Sequence, residues 1–218
     1  MRPSPNERPV RTTLGRDGFA RVFPVSRETL AQLEAYVALL RGWNRRINLV
    51  APSTMGDVWR RHILDSAQLF PHIPRQARVL VDLGSGAGLP GLILALLGVP
   101  EVHLFEADQR KAAFLREAVR VTGANAAVHA LRAEKSSKLA ADVVTARALA
   151  PLSSLLDIAE PFLQPHTICL YLKGRRVEEE LTPARQGWKM NVRLLPSVSD
   201  PSGVLLHLEA VSREPRPV

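Results

Sequence analysis

The sequence has one cysteine, no long apolar run and no recognisable metal-binding spacing. A single cysteine, Cys169, excludes a disulfide framework and is typical of a protein that stays in a reducing cytoplasm. No apolar run approaches the roughly 18 residues of a membrane span, and the N-terminus lacks a secretory apolar core. No spacing of Cys, His or Asp suggests a metal site. We therefore expect a cytoplasmic protein with no membrane partner and no metal.

Acidic residues are also in the minority. The 218 residues include 29 Lys and Arg against 21 Asp and Glu, so the net charge is +8 and the pI is about 10.5. This balance favours a polyanionic partner, with RNA or DNA first, although an arginine-rich proteome raises every pI in the same way. The length suffices for one domain with an appendage and a substantial core.

Glycine is concentrated after one apolar segment. Residues 79–83 are typical of a buried strand, and Gly84, Gly86 and Gly88 then follow at alternate positions. Glycine tolerates positive φ and lets a ligand approach the backbone closely. The next apolar run is long enough for a helix, so free N–H groups at its start would face the same ligand. A turn without a ligand needs only one or two glycines, and the pattern therefore favours binding of a nucleotide-like molecule.

Two cofactors fit this turn. Gly86, Gly88 and Gly91 satisfy the dinucleotide pattern GxGxxG, which indicates a nicotinamide-dependent dehydrogenase but is weak alone. In the second interpretation, Asp82 precedes the GxGxG formed by Gly84, Gly86 and Gly88. That arrangement looks like the first motif of the S-adenosylmethionine (AdoMet) methyltransferases, in which the carboxylate orients the loop or meets the cationic end of the cofactor.

The rest of the chain alternates strands and helices. Two helices, capped by Ser26 and by Ser53 or Thr54, precede the first strand. The predicted strands are 79–83, 102–105, 127–131, 142–145 and 167–172, followed by a hairpin of 188–195 and 204–211. This pattern predicts an α/β, Rossmann-like fold with a mixed, mostly parallel seven-stranded sheet and a C-terminal antiparallel hairpin. We expect the chain to divide into a disordered basic tail over 1–23, an N-terminal helical cap over 24–72 and, on the second interpretation of the glycine loop, an AdoMet-binding methyltransferase domain over 73–218.

Several short motifs occur in an order that is specific to one family. They are Trp43-Asn44…Asn48-Leu49, Arg61-His62-Ile63-Leu64-Asp65-Ser66, the 82–91 loop, Phe114-Leu115-Arg116, Arg147-Ala148 and Leu172-Lys173-Gly174. Over residues 25–211 the chain resembles the bacterial small-subunit rRNA guanine-N7 methyltransferases, the RsmG or glucose-inhibited-division-B family. The resemblance implies AdoMet as cofactor and transfer of its methyl group to N7 of one guanine in the decoding-centre loop of 16S rRNA, in the small ribosomal subunit.

The resemblance also implies which residues contact the cofactor. It places cofactor contacts at Gly84, Leu89, Ala133, Glu134 and Arg147, and Glu106 stands where the family often has a ribose-binding aspartate. Asp82, Gly86 and Gly88 join this set through the glycine motif. No catalytic residue is assigned, and Arg147 is the best candidate for positioning. The chain departs from the family in its basic tail and in its last strand, where His207 lies without the expected arginine or lysine.

Methyl transfer to guanine N7 needs no general base, because that nitrogen already carries an unprotonated lone pair, so catalysis reduces to orientation. The candidate RNA contacts, each at a loop or helix edge, are Arg45, Arg46, Arg60, Arg61, Lys173, Arg175 and Arg176. We predict a structural His62–Asp65 bond, a buried Cys169 and a solvated helix face at 178–180. We also expect a monomer. A non-catalytic RNA-binding factor with a vestigial pocket remains the third hypothesis beside the two enzymes.

Overall fold

The computed structural model describes residues 12–136 and 139–214. Its helices are α1 (Arg16–Val22), α2 (Arg27–Asn44), α3 (Asp65–Ala67), α4 (Gly91–Leu96), α5 (Gln109–Thr122), α6 (Leu152–Ala159) and α7 (Val177–Ala184). Its strands are β1 (Val79–Leu83), β2 (Glu101–Phe105), β3 (Ala126–His129), β4 (Val143–Arg147), β5 (Ile168–Lys173), β6 (Trp188–Pro196) and β7 (Val204–Arg213). In this part of the chain no helix is long and apolar enough to cross a membrane.

The seven strands form one sheet in the order β3-β2-β1-β4-β5-β7-β6. Strands β1 to β5 are parallel, whereas β7 runs antiparallel to β5 and β6 pairs antiparallel with β7. The predicted mixed sheet with a closing hairpin is therefore confirmed. The chain leaves β1 toward β2 on one side and returns to β4 on the other, so β1 and β4 flank the switch point where α/β folds bind ligands.

Helix α2 forms as the sequence predicts and joins the cap to the glycine loop. The Ser26 side chain accepts a hydrogen bond from the Thr29 N–H at 3.0 Å, which satisfies a free amide of the first turn. Leu33 and Leu40 are completely buried on the inner face. The hydroxyl of Tyr36 donates to the carbonyl of Ala87 at 2.7 Å, so the cap is bonded directly to the glycine loop.

The second predicted helix of the cap has a different form. A 3-10 helix (Pro52–Asp57) is followed by a π-helix (Trp59–Leu64), which continues into α3. The Asp65 N–H donates to the carbonyl of Arg60, five residues earlier, as well as to that of His62. π-Helical turns are rare and often occur at functional sites. In this protein the wide turn carries His62, whose side chain contacts the end of β4.

The predicted disorder of residues 1–23 is wrong for residues 16–22, which form α1. Phe19 is completely buried, with its ring centroid 5.8 Å from Phe23 and 5.6 Å from Trp59. The apolar surface that these two phenylalanines bury stabilises a short helix. Because arginines surround them in the sequence, the composition of the segment does not predict this helix. Residues 1–11 of the predicted tail lie outside the described residues.

Candidate active site

The glycine loop after β1 has one face toward a cleft and one toward the core. Gly84, Gly86 and Gly88 have φ values of +62°, +55° and +84°, a region that side chains rarely adopt. A Cβ on Gly86 would meet only the Gly84 carbonyl, at 3.8 Å, whereas a Cβ on Gly88 would lie 2.9 Å from that of Leu92. Gly86 therefore leaves open space for a ligand. Gly88, predicted to bind cofactor, allows close packing against α4 and does not line the cleft.

Asp82 lies beneath this loop. Its side chain is completely buried, and the hydroxyl of Thr145 donates to its Oδ1 at 2.6 Å. Burial raises the pKa of Asp82 to about 6. A Cβ on Gly91 would lie only 2.6 Å from the Asp82 Cβ, so α4 begins in direct contact with this carboxyl group. Asp82 does not line the cleft, and of its two predicted roles the geometry favours the orientation of the loop.

The cleft has two adjoining lobes. The wide lobe, of about 490 Å³, lies between the loop, the cap and the turn that joins β6 to β7. The narrow lobe, of about 340 Å³, lies between the loop and the ends of β2 and β3. Both volumes are in the range of small-molecule sites. The lobes share five lining residues, which are Gly84, Gly86, Lys111, Arg147 and Ala148.

Glu106 connects the narrow lobe to the glycine loop. Its Oε2 accepts a hydrogen bond from the Gly86 N–H at 2.8 Å, and its Oε1 accepts one from the Asp108 N–H at 2.8 Å. A carboxylate offers about four acceptor sites, so each oxygen retains one for a ligand hydroxyl. Ala133 and Glu134 lie on the opposite wall. The structure thus brings together most of the predicted cofactor contacts, with Leu89 on the wall of the wide lobe.

Arg147, at the end of β4, is held by the cap. Its guanidinium lies 3.0 Å from Nδ1 of His62 and 3.4 Å from a carboxylate oxygen of Asp65. Burial, with the charges of Arg147 and Arg61, lowers the pKa of His62 to about 3, so the imidazole is neutral at pH 7. Its Nδ1 therefore accepts from Arg147, and the protonated Nε2 donates to the Thr54 hydroxyl at 2.7 Å.

The predicted His62–Asp65 bond is wrong, because Arg147 lies between the two side chains and bonds to each. Asp65 instead reaches the β6–β7 turn, where its Oδ1 accepts from the Ser199 hydroxyl. Gln68 donates to the hydroxyl of Ser197 at 3.1 Å and joins the same turn to the cap. This turn forms one wall of the wide lobe, and nothing in the local sequence pattern reveals that it does.

The seven predicted RNA contacts separate into two groups. Arg45, Arg46, Arg175 and Arg176 are exposed, and Arg61 lines the wide lobe with an ion pair to Asp200 at 2.7 Å. The other two, Arg60 and Lys173, have little exposed surface and bond within the chain. Arg60 is only 15% exposed and donates to Asp57 at 2.6 Å. Lys173 is 8% exposed and bonds within the chain, and its ion-pair partner Glu180 corrects the prediction of a wholly solvated acidic face at 178–180.

Two cations, Lys111 and Arg193, have positions that the sequence does not predict. Lys111, in the first turn of α5, lines both lobes, and its ammonium has no ion-pair partner among the described residues. Its position in the first turn of the helix that follows β2, five residues after Glu106, is the signal that could have identified it. His207 also has a cation beside it, because Arg193 of β6 donates to its Nδ1 at 2.9 Å. Within the described ranges no group of His, Cys, Asp and Glu is arranged to hold a metal.

Solved structures share this fold. The chain is similar to M. jannaschii TYW2 in complex with AdoMet, with a TM-score of 0.53, 18% identity and coverage of 78% of this chain and 80% of that one. It is also similar to a mutant of MtNAS in complex with S-adenosylmethionine, with a TM-score of 0.54, 15% identity and coverage of 92% and 86%. At these identities the likeness shows the fold alone, a Rossmann-like α/β fold.

Curated relatives are much closer in sequence. The ribosomal RNA small subunit methyltransferase G of Rhodospirillum centenum is 62% identical over 194 residues, which are 89% of this chain and 90% of that protein. The protein of the same name from Rhodospirillum rubrum is 54% identical over 197 residues, 90% and 98% of the two chains. The family model described as GidB, rRNA small subunit methyltransferase G, matches residues 29–201. The chain therefore belongs to the rRNA small subunit methyltransferase G family.

Proposed function

We propose that this protein transfers the methyl group of AdoMet to N7 of one guanine in the decoding-centre loop of 16S rRNA. The proposal depends on the open backbone of Gly86, which lies beside Glu106 at the switch point of the sheet. The family to which the chain belongs supports the interpretation of this site as that of a methyltransferase. The antiparallel β7 between β5 and β6 and the family match both argue against the alternative of a nicotinamide-dependent dehydrogenase.

The narrow lobe fits AdoMet. Gly86 would hold it through bare backbone, with Gly84 beside it in the wall of the lobe, and Glu106 has acceptor sites left for ribose hydroxyls. Leu131 and Leu149 are 37% and 39% exposed and line this lobe, where they offer apolar surface to a planar base. AdoMet supplies the reaction with a methyl group on a sulfonium centre. Ala133, Glu134 and Arg147 complete the proposed contacts.

The wide lobe fits the acceptor base. Leu49, Val50 and Leu172 give it apolar walls, and Arg147 lies where the two lobes meet. His62 is neutral, and both of its ring nitrogens are hydrogen-bonded, to Arg147 and Thr54, so it is not available as a general base. An unprotonated guanine N7 requires no such base, and the residues of the cleft are left to orient the acceptor and exclude water.

The surface around the cleft fits RNA. Arg45 and Arg46 precede the segment that lines one side of the wide lobe, and Arg175 and Arg176 follow Gly174 on another. All four side chains are exposed, and Lys111 adds a cation between the lobes. Contacts of this kind release counterions from phosphates, so we expect binding that weakens steeply with salt.

The decisive experiment is labelled-methyl transfer from AdoMet to small ribosomal subunits purified from cells that lack this gene. Label at a single guanine N7 of 16S rRNA is the expected result, and a Gly86→Asp variant provides the cofactor control. Label at another atom would disprove the proposed specificity. If AdoMet binds but no methyl group is transferred, the proposed cofactor stands and the proposed substrate is wrong. Tight binding of NAD in place of AdoMet would favour the dehydrogenase. RNA binding that does not depend on AdoMet, without any transfer, would favour the non-catalytic factor.

A further inference from the structure

We infer that Lys173 and Glu180 form a brace that positions the β4–α6 loop (148–151) at the cleft. In this role Lys173 is a positioning residue and contacts neither RNA nor cofactor. The inference rests on the proposed function only in taking AdoMet as the ligand of the narrow lobe. The contacts of the brace are present without any ligand.

The brace joins three elements through two side chains. The Lys173 ammonium, at the end of β5, donates to the carbonyl of Ala150 at 2.7 Å and to Oε2 of Glu180 at 2.7 Å. The same Oε2, on α7, accepts from the Leu152 N–H at 2.8 Å. A carbonyl in the loop and the first amide after it are therefore held by one ion pair. The Lys173 side chain is only 8% exposed, so its ammonium is directed inward although the residue borders the wide lobe.

The loop needs such support. Ala148 has a φ of +49°, a left-handed conformation that costs a non-glycine residue roughly 1 kcal/mol or more. Leu149 is 39% exposed. At the start of α6, Pro151 provides no side-chain cap, so the Leu152 amide would be unsatisfied without Glu180. Glu180 thus caps α6 from a neighbouring helix, and Lys173 neutralises the charge of that cap.

The loop in turn shapes the cleft. Leu149 packs across Gly84, since a Cβ on that glycine would lie 2.5 Å from the leucine Cδ1, and it lines the narrow lobe. Ala148 lines both lobes, and Arg147 comes directly before it. A displacement of the loop would therefore change the width of the narrow lobe and the position of Arg147 together. Methyl transfer by orientation is sensitive to shifts of this kind.

The competing interpretation is the sequence-based one, in which Lys173 binds RNA phosphate. The two interpretations differ most clearly at Glu180. If Lys173 contacts phosphate, removal of the nearby negative charge strengthens RNA binding. If Lys173 is part of a brace, the loss of either partner releases the same loop, so Lys173→Met and Glu180→Ala have the same effect.

The test compares these two variants with two controls by amide hydrogen exchange, AdoMet titration calorimetry and the salt dependence of RNA binding. Glu179→Ala removes a charge from an exposed neighbour, and Arg175→Met removes an exposed cation beyond the end of the same strand. Glu180→Gln is included because its amide oxygen can still accept from Leu152, so this variant retains the fold if Glu180→Ala does not.

We expect exchange of the Leu152 amide to accelerate by about tenfold or more in Lys173→Met and in Glu180→Ala, a factor equivalent to about 1.4 kcal/mol. In the same two variants we expect AdoMet affinity to fall by about tenfold, because the charge-assisted hydrogen bond that holds the β4–α6 loop is lost. Glu180→Gln is intermediate, and Glu179→Ala behaves as the unmodified protein. The RNA salt slope falls in Arg175→Met and stays unchanged in Lys173→Met.

Two results would overturn the inference. Unchanged Leu152 exchange with a reduced salt slope in Lys173→Met would assign the lysine to RNA. Faster exchange with unchanged AdoMet affinity would show that the loop is braced but that the brace does not position the site. The exchange measurement needs no ligand, so failure of the unmodified protein to bind AdoMet would count against the proposed function and not against the brace.

Discussion

Replacement of Gly86 by aspartate tests the cofactor site most directly. Gly86 has a φ of +55°, and a Cβ at this position would enter open space with only the Gly84 carbonyl near it, at 3.8 Å. The longer side chain would therefore extend into the cleft instead of clashing with the core. Its carboxylate would lie near that of Glu106, whose Oε2 already accepts from the Gly86 N–H at 2.8 Å.

The expected effect on folding is smaller than the effect on binding. The left-handed backbone costs a non-glycine residue about 1–2 kcal/mol. Two carboxylates about 6 Å apart repel by about 3 kcal/mol at an effective dielectric constant of about 20. Both costs together fall within the 5–15 kcal/mol stability of a typical domain, so the variant stays folded. The aspartate side chain would occupy the space proposed for AdoMet, and we expect at least about a hundredfold weaker binding.

The assay is titration calorimetry with AdoMet, together with urea denaturation of each variant. Gly123→Asp is the matched control, because Gly123 has a similar φ of +67° at the end of α5 and a Cβ there would meet no atom within 4 Å. The control should lose stability through backbone strain and bind AdoMet normally. A folded Gly86→Asp protein with the affinity of the unmodified one would refute the assignment of the glycine loop as cofactor site.

Arg147, Asp82 and Phe19 offer further tests of the site and the core. Arg147→Lys keeps the charge beside Asp65 but loses the planar guanidinium that also reaches His62. Turnover in the methyl-transfer assay should therefore fall by about tenfold or more, with little change in melting temperature. Equal turnover would contradict the positioning role of Arg147. Asp82 has its folded pKa raised to about 6, so its contribution to stability is lost as pH rises from about 4 to 6. Asp82→Asn should remove that loss, worth about 3 kcal/mol, when the free energy of unfolding is measured by urea denaturation at pH 4 and pH 7. If the free energies of the variant and the unmodified protein differ by the same amount at both pH values, the raised pKa of Asp82 is wrong. Phe19→Ala should lower the free energy of unfolding by about 3–5 kcal/mol, whereas a disordered tail predicts no change.

The elements that could be predicted from sequence are those that local physics determines. The strand 79–83, the glycine turn and the cap at Ser26 were predicted, because apolar spacing, positive φ and capping each act within a few residues. Helix α1 is not predicted, because Phe19 and the C-cap residue Phe23 lie among prolines and charges. The second cap helix was predicted as regular, because apolar spacing does not distinguish an α-helix from the π-helical turn observed at 59–64.

The fold class and the family can be predicted from the amino-acid sequence, because both depend on the order of local motifs along the chain. The chemistry that each polar residue is free to perform depends on contacts between distant segments. Gly86 and Gly88 have the same local conformation, yet only the second packs against Leu92. The partners of Arg147 lie 82 and 85 residues earlier in the chain, and the ammonium of Lys173 bonds to a loop carbonyl 23 residues before it. Such contacts depend on how distant segments meet across the sheet, and no local pattern encodes that geometry.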